Sequence, residues 1–466
     1  MNQALSRRLT RELAGALDDR ERLYTDPGDC WTYGYDNSRR QSCPGAVAFA
    51  TRHEEVAALV AICHRHRLPV VMRGRGSGTA GAAVPPAGAL VLSTERMNRI
   101  LEINPDDRLA VVEGGVINGD LQRALESRGF FWPPDPTSAD YASVGGNLAC
   151  NSAGPRAVKY GTPRDNTLGL RAVTGTGSNL RTGVYTTKGV VGSDLSRLLI
   201  GSEGTLGLIT EATLRLTPLP EGRRTLRAVY ADITAAARAV SRLMAQPVVP
   251  RVLEFIDGQA IRMIRDYAAT DLPADAGAML MVEVDGDEAL LDHAEAAVSR
   301  AAEGPGLVSL ETARTAEETQ ALWEARKALS PALRTIAPKK INEDVVVPVS
   351  RMAELIGGLE ELSREYGITI VNFGHAGNGN IHVNLLADPD NPEQMRVIDD
   401  CLQAVFRLVL SLRGTLSGEH GIGYEKKEFV GLEIEPETLA LMRGIRGQFD
   451  PAGILNPGKM FPEVLE

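Results

Sequence analysis

The sequence predicts an α+β fold in two or more domains, on three observations. The chain has 466 residues, beyond the roughly 250–300 at which a single hydrophobic core stops growing. Its first half carries short apolar runs between glycine-dense turns, with few regular strand–helix repeats. Its second half alternates strand and helix patterns and includes two strands joined by a Gly-Asn-Gly-Asn turn, which suits an antiparallel sheet with helices on one face.

Composition narrows the function classes. At 43% hydrophobic and 24% charged, the chain is ordinary for a globular protein and unlike disordered or collagen-like sequences. A net charge of −10 without a basic block argues against nucleic-acid binding, which needs clustered Lys and Arg. The uncharged stretch 76–94 is broken by glycines and by Pro85 and Pro86, so it reads as a loop and not a membrane span. Cys30, Cys43, Cys63, Cys150 and Cys401 show no cluster spacing, which disfavours an iron–sulfur site, a zinc knuckle or a disulfide framework. A reduced, cytoplasmic protein is expected, with any contact at the inner membrane peripheral.

In chain order, Leu5, Leu9, Leu13 and Leu17 recur every four residues and predict an amphipathic helix over 3–18. A second helix is expected over 54–66, with His53, His64 and His66 on or beside it and solvated. Apolar runs 70–72, 90–92 and 109–112 read as strands, and 117–127 as a helix. Long loops follow over 133–161, then a strand-rich return over 168–220. Composition shifts near 218–224. Beyond it, strands are expected at 226–230, 251–256, 278–284, 368–374 and 380–386, and helices at 232–244, 287–303, 316–336 and 350–366. No internal repeat is visible.

Three glycine-rich stretches carry the first functional signal. They are the run Arg73 to Gly81, the run Ser143 to Gly154 preceded by Pro133–Ser138, and Gly201 to Ile209. Alternating glycines let a backbone turn sharply and press N–H groups against an anion. The first loop has neither the spacing of a dinucleotide fingerprint nor that of a Walker loop. Three such loops in one domain suit one long ligand wrapped by backbone, such as a dinucleotide.

Together these loops resemble the FAD-binding domain of the vanillyl-alcohol-oxidase/p-cresol-methylhydroxylase (PCMH) superfamily. With the C-terminal motifs described below, the chain resembles its D-2-hydroxyacid dehydrogenase branch, over residues 35–462. The resemblance implies a PCMH-type FAD-binding domain at 1–221 and a ferredoxin-like antiparallel-sheet cap or substrate domain at 222–415. A C-terminal segment, 416–466, would return to the flavin. It also implies FAD contacts from Gly74, Arg75, Gly76, Ser77, Gly78 and Thr79, and from Pro134, Thr137, Ser143, Gly145, Gly146, Asn147 and Asn151. Glu203, Gly204, Gly207, Ile209 and Asn456 complete the set. Some superfamily members hold FAD covalently through a histidine where this chain has Ser77, so a non-covalent flavin is expected.

Only seven histidines occur, and three fall in two tight motifs: Gly374 to Asn384, and Ser417 to Gly423. A strand running into a glycine turn and back out can make His375 and His382 cross-strand neighbours, with Cβ atoms roughly 5 Å apart. Two imidazoles at that distance can chelate one metal, and Glu419 can supply a carboxylate, leaving open positions as in a catalytic site. Adjacent residues in extended chain point opposite ways, so Glu419 and His420 can serve different partners. The resemblance assigns the same roles: His375, His382 and Glu419 to a divalent metal, zinc first with manganese or iron as alternatives, and His420 to the catalytic base. It places Asn384 near flavin and substrate.

A substrate carboxylate needs a fixed cation, for which Arg is preferred. The resemblance points to Arg326 and Ser330, one helical turn apart. Relatives acting on D-2-hydroxyglutarate carry a substrate-contacting lysine where this chain has Asn342, with Lys339 and Lys340 three and two residues away; a shorter hydroxyacid is therefore favoured. The expected reaction is oxidation of a small D-2-hydroxyacid, D-lactate first, with hydride passing to flavin N5 and electrons to a quinone, a cytochrome or an electron-transfer flavoprotein. D-2-hydroxyglutarate or D-malate oxidation and a glycolate oxidase flavin subunit stand as alternatives, as does a metal-dependent hydrolase, which would leave the glycine loops unexplained. A homodimer is kept open as the assembly.

Overall fold

The computed structural model describes residues 5–267, 272–323, 329, 333 and 339–462. The chain forms two compact units. The first comprises the chain up to Gly154, Gly161–Leu219 and the segment from Glu419 on; the second comprises Pro155–Tyr160 and Pro220–Gly418.

The first unit has two main sheets. Strands Ala46–Phe49, Leu90–Ser93 and Val70–Arg73 pair in parallel, with Leu23–Tyr24 antiparallel at the edge. The parallel strands are almost wholly buried apolar runs, as strands covered on both faces must be. Helix His53–His66 ends at Arg67 in the left-handed region, and Leu68 N–H returns to the Cys63 carbonyl, so the chain turns directly into the strand Val70–Arg73. The N-terminal helix spans Arg7–Gly15, capped by Ser6, and packs Leu9 and Leu13 into the same core as that helix. The second sheet is antiparallel, in the order Ile100–Asn104, Leu109–Glu113, Leu208–Arg215, Thr167–Val173, Asn179–Gly183. Two short helices, Val144–Cys150 and Ala157–Tyr160, occupy the stretch read as loop.

The second unit is built on one seven-stranded sheet, antiparallel at every pairing. Its order is Leu307–Ala313, Gly222–Tyr230, Ala278–Gly286, Val252–Asp257, Thr369–His375, Asn380–Ala387, Lys339–Val346. Numbered by chain position, the first four strands lie in the order 4-1-3-2, the ferredoxin-like arrangement. The last three repeat its 2-3-1 part, and Thr415 bridges Val346 where a fourth strand would lie. The topology therefore repeats although the sequence does not. The two halves meet where Val252–Asp257 pairs with Thr369–His375, a seam of three residue pairs.

Helices Ile233–Ala245, Glu288–Ala302, Met352–Tyr366 and Pro392–Ser411 form a layer on one face. Tyr230 donates to the Ala302 carbonyl at 2.8 Å from that side. Helices do not keep to one face as the sequence suggests. Helix Gly258–Tyr267 packs Ile261 and Ile264 with Val229, Ile256, Val371 and Phe373 on the other. These residues alternate with the ones facing the helix layer, so both faces are apolar along part of the sheet.

Candidate functional site

In the first unit, close packing and hydrogen bonds tie the glycine loops to one another. A Cβ on Gly74 would lie 2.2 Å from Ser143 Oγ, so the first and second loops touch through a missing side chain. Ser143 Oγ accepts from Gly146 N–H at 3.2 Å, and Gly145 N–H donates to Gly114. Asn118 Nδ2 bridges the Pro134 carbonyl and Asn147 Oδ1, at 3.1 and 3.0 Å. Glu203 N–H donates to Ala149 at 2.8 Å, which brings in the third loop. Asn151 caps the short helix in the left-handed region, and its Oδ1 accepts from Arg164 N–H. Gly207 packs against Leu199, Ile209 is buried, and Thr137 is exposed.

The first loop has the character of an anion cradle. Among the described residues, the backbone N–H groups of Arg75, Gly76, Ser77, Gly78 and Thr79 donate to no carbonyl. Gly76 is left-handed, and a Cβ on Gly78 would meet nothing within 4 Å. Open, unpaired N–H groups beside two further glycine loops fit the phosphates and ring edge of a dinucleotide.

The C-terminal segment closes on this unit through Glu203. Its carboxylate accepts from Ile422 N–H at 2.6 Å and Gly423 N–H at 2.8 Å, so this side chain anchors backbone. Gly421, left-handed at φ +86°, would carry its Cβ 2.7 Å from the Glu203 carboxylate, so only glycine lets the segment approach so closely. Tyr424 and Glu425 N–H groups donate to Ala80 in the first loop. Asn456 Nδ2 donates to the Glu203 and Ala82 carbonyls at 2.6 and 3.0 Å. Lys459, 1% exposed, bonds to Asn456 Oδ1 and lies 4.9 Å from the Tyr424 ring centroid. Burial pushes the Glu203 carboxyl up and the Lys459 ammonium down to about 7, against the pull of the Glu203 charge on the latter.

In the second unit, His375 and His382 stand on one sheet face, 6% and 7% exposed. Direct opposition is not the register. His375 faces Asn380 and His382 faces Phe373, because the Ala376–Asn378 turn closes one pair earlier. Gly379 makes that closure: it is left-handed, and a Cβ there would lie 1.9 Å from the Val347 carbonyl. The two histidines are diagonal neighbours, with ring centroids 5.2 Å apart and planes at 85°, and ring nitrogens within 4.8 Å of each other. Two buried imidazoles at that separation form a donor pair suited to zinc or a similar divalent cation.

Two buried carboxylates flank this pair, and sequence reasoning missed both. Glu254, directly opposite His375, bonds to its Nδ1. Asp344, opposite His382, accepts from Ser417 Oγ at 3.0 Å and Gly418 N–H at 2.9 Å. The signal was an acidic residue inside an apolar strand, as in Val252-Leu-Glu-Phe-Ile256. Asp344 thereby fixes residue 418, one peptide bond from Glu419. Glu419 Oε2 accepts from Gly154 N–H at 2.7 Å, and Glu419 and His420 are both half-buried.

Asn384 is fully buried, with Nδ2 donating to the Val371 and His382 carbonyls and Oδ1 accepting from Asn342 Nδ2 at 2.9 Å. Lys340 shares the sheet face of Asn342, whereas Lys339 points to the opposite one. Arg326 and Ser330 lie outside the described residues. His53 is not solvated: it is 6% exposed and bonds Thr210 Oγ1 at 2.8 Å.

Comparison with known proteins also splits the chain near residue 219. The family described as "FAD linked oxidases, C-terminal domain" matches residues 219–460, and "FAD binding domain" matches 44–183. The chain is 40% identical to the glycolate oxidase subunit GlcD of Bacillus subtilis (strain 168), covering 92% of each chain. It is 36% identical to a D-2-hydroxyglutarate dehydrogenase of Xanthomonas citri pv. viticola, covering 94% of each. Against a D-lactate dehydrogenase of Anaerostipes hadrus it is 33% identical, over 90% of this chain and 89% of that one. Among solved structures, p-cresol methylhydroxylase with substrate bound superposes with a TM-score of 0.79 at 17% identity, over 98% of this chain and 97% of that one, which shows a shared fold.

Proposed function

We propose a reaction for this chain from the fact that it belongs to the FAD-linked oxidases: oxidation of a small D-2-hydroxyacid, D-lactate first, to the 2-oxoacid, with electrons passed to a non-NAD acceptor. Relatives named for glycolate, D-lactate and D-2-hydroxyglutarate support the 2-hydroxyacid class. The observation that carries the metal-assisted form is the buried pair His375 and His382, 5.2 Å between ring centroids.

In this reading the loops containing Gly74–Thr79, Ser143–Asn151 and Glu203–Ile209 hold FAD, with Asn456 behind them. The hold is non-covalent, because Ser77 offers no imidazole. His375 and His382 hold a divalent cation, with Glu419 as third ligand. Bound FAD supplies the two-electron acceptor for the C2 hydrogen, and a bound cation supplies Lewis acidity at the substrate hydroxyl. His420 takes the hydroxyl proton as general base; imidazole suits that role near neutrality. Arg326, helped by Ser330, orients the substrate carboxylate. Asn384 acts through the sheet, holding the His382 backbone carbonyl.

Asn342 is committed to Asn384 and carries no charge for a second substrate carboxylate, which favours a short acid over hydroxyglutarate. The first unit supplies the flavin site, and the second supplies His375 and His382. The electron acceptor is a quinone, a cytochrome or an electron-transfer flavoprotein. A cytoplasmic setting agrees with five free cysteines. Among the described residues no helix is long and apolar enough to cross a membrane.

A second reading has its own observation: the 40% identity to a protein named as a glycolate oxidase subunit. There glycolate is the substrate, and companion subunits complete the enzyme. A panel of D- and L-2-hydroxyacids with an artificial dye acceptor separates the two. Turnover of D-lactate by the isolated chain supports the first reading. Turnover of glycolate alone, or only with added subunits, supports the second. Removal of the cation by chelation should abolish activity and leave FAD bound; full activity in a verified metal-free preparation would remove the metal from the account.

A further inference from the structure

Glu254 and His375 are 121 residues apart in sequence and come from different halves of the seven-stranded sheet. They meet at the seam, as one of its three residue pairs. Both are buried, at 2% and 6% exposure. The contact joins the Glu254 carboxylate to Nδ1 of the ring. An ionised carboxylate can only accept, so Nδ1 is the donor and carries the proton. The lone pair of the neutral ring is then at Nε2.

This arrangement does two things that a cation site needs. A ring held at Nδ1 cannot rotate freely about its Cβ–Cγ bond, so the direction of Nε2 is set by the sheet. A negative charge on the far side of the imidazole also makes Nε2 a better electron-pair donor. Burying a carboxylate is costly unless charge and hydrogen bonds compensate it, and a pair of imidazoles around a cation provides that compensation.

We propose that Glu254 is a positioning residue for the cation site, fixing the tautomer and aim of His375 and strengthening its hold on the metal. The proposal rests on the metal reading given above. The competing role is purely structural: a polar staple across the seam, felt in stability and nowhere else.

The test uses the full-length, FAD-loaded protein, stripped of metal by chelation and titrated with Co²⁺. Wild type should bind one Co²⁺ per chain with a visible absorption band, and His382→Ala should lose it. Glu254→Gln keeps an acceptor for Nδ1–H but loses the charge; Glu254→Met loses both. Affinity should fall in the order wild type, Glu254→Gln, Glu254→Met. The fall should be about 10–100-fold, with a shifted Co²⁺ spectrum and normal FAD content. If Glu254→Met fails to fold, Glu254→Gln, which has nearly the same shape, decides alone. Variants that bind Co²⁺ as wild type does, with the same spectrum, overturn the proposal even if they melt earlier, and leave the metal reading intact. A wild type that binds no Co²⁺ overturns both together.

Discussion

Replacing Glu203 by alanine should destabilise the first unit by about 2–4 kcal/mol and slow flavin reduction. The carboxylate accepts two backbone N–H groups, at 2.6 and 2.8 Å. Each hydrogen bond to a charged acceptor contributes about 1.5–3 kcal/mol, so losing both costs ~3–6 kcal/mol. Burial pushes this carboxyl up, so the charge is expensive where it sits, and removing it returns part of that loss. The remainder is a large share of the ~5–15 kcal/mol that holds a typical domain folded. Ile422 and Gly423 lie two and three residues beyond His420. Releasing them frees His420, the proposed base, and a misplacement of about 1 Å can cost ~10²-fold in rate. The assay is urea unfolding of the FAD-loaded protein followed by flavin fluorescence, paired with anaerobic flavin reduction. An unchanged unfolding midpoint with an unchanged reduction rate would refute the anchoring role.

Lys459 should give stability a distinct pH dependence. Burial lowers it from 10.5 to about 7, so above pH 7 the unfolded chain holds the proton that the folded chain lacks. Stability should then rise from about pH 7 toward 10, at up to about 1.4 kcal/mol per pH unit; Lys459→Met should flatten that rise in unfolding midpoints measured across the range. Acid or denaturant should release FAD from the polypeptide, and flavin remaining on the precipitated chain would show a covalent link. His420→Ala should lower turnover about 10²–10⁴-fold with metal content unchanged, whereas Glu419→Ala should lose metal. Wild-type flavin reduction by His420→Ala with metal retained would remove it as the base.

Much of the second unit was legible from alternation and length. The expected strands at 368–374 and 380–386 lie within a residue of Thr369–His375 and Asn380–Ala387, because a glycine turn between apolar runs leaves little freedom. The expected helices at 232–244 and 287–303 are likewise within a residue at each end. Helix Pro392–Ser411 was missed although its signals are plain: Asn391 caps it, Pro392 opens it, and Ile398, Cys401, Leu402, Val405 and Val409 follow at helical spacing. The doubled strand order was illegible in principle, since topology can repeat without any shared residues. Register was equally hidden. Whether His375 opposes His382 or Asn380 depends on how many residues the turn consumes, and a left-handed Gly379 decides it.

The candidate site divides the same way. Local motifs carry the histidines and the glycine loops. Glu254 and Asp344 reach the histidine strands only through pairing across the sheet, and their distance along the chain leaves no local pattern. Glu203 is visible as a residue of the third loop, but its grip on Ile422 and Gly423 spans more than two hundred positions. His53 sits in a charged helix by sequence, and only the fold shows it turned inward onto Thr210.

The most direct test of the proposed reaction is to mix the purified, FAD-loaded chain anaerobically with D-lactate, and separately with L-lactate, and follow the oxidised-flavin absorbance. The account predicts rapid bleaching by D-lactate and none by L-lactate. Bleaching by the L-enantiomer, or by neither D-lactate nor any other D-2-hydroxyacid, would contradict it.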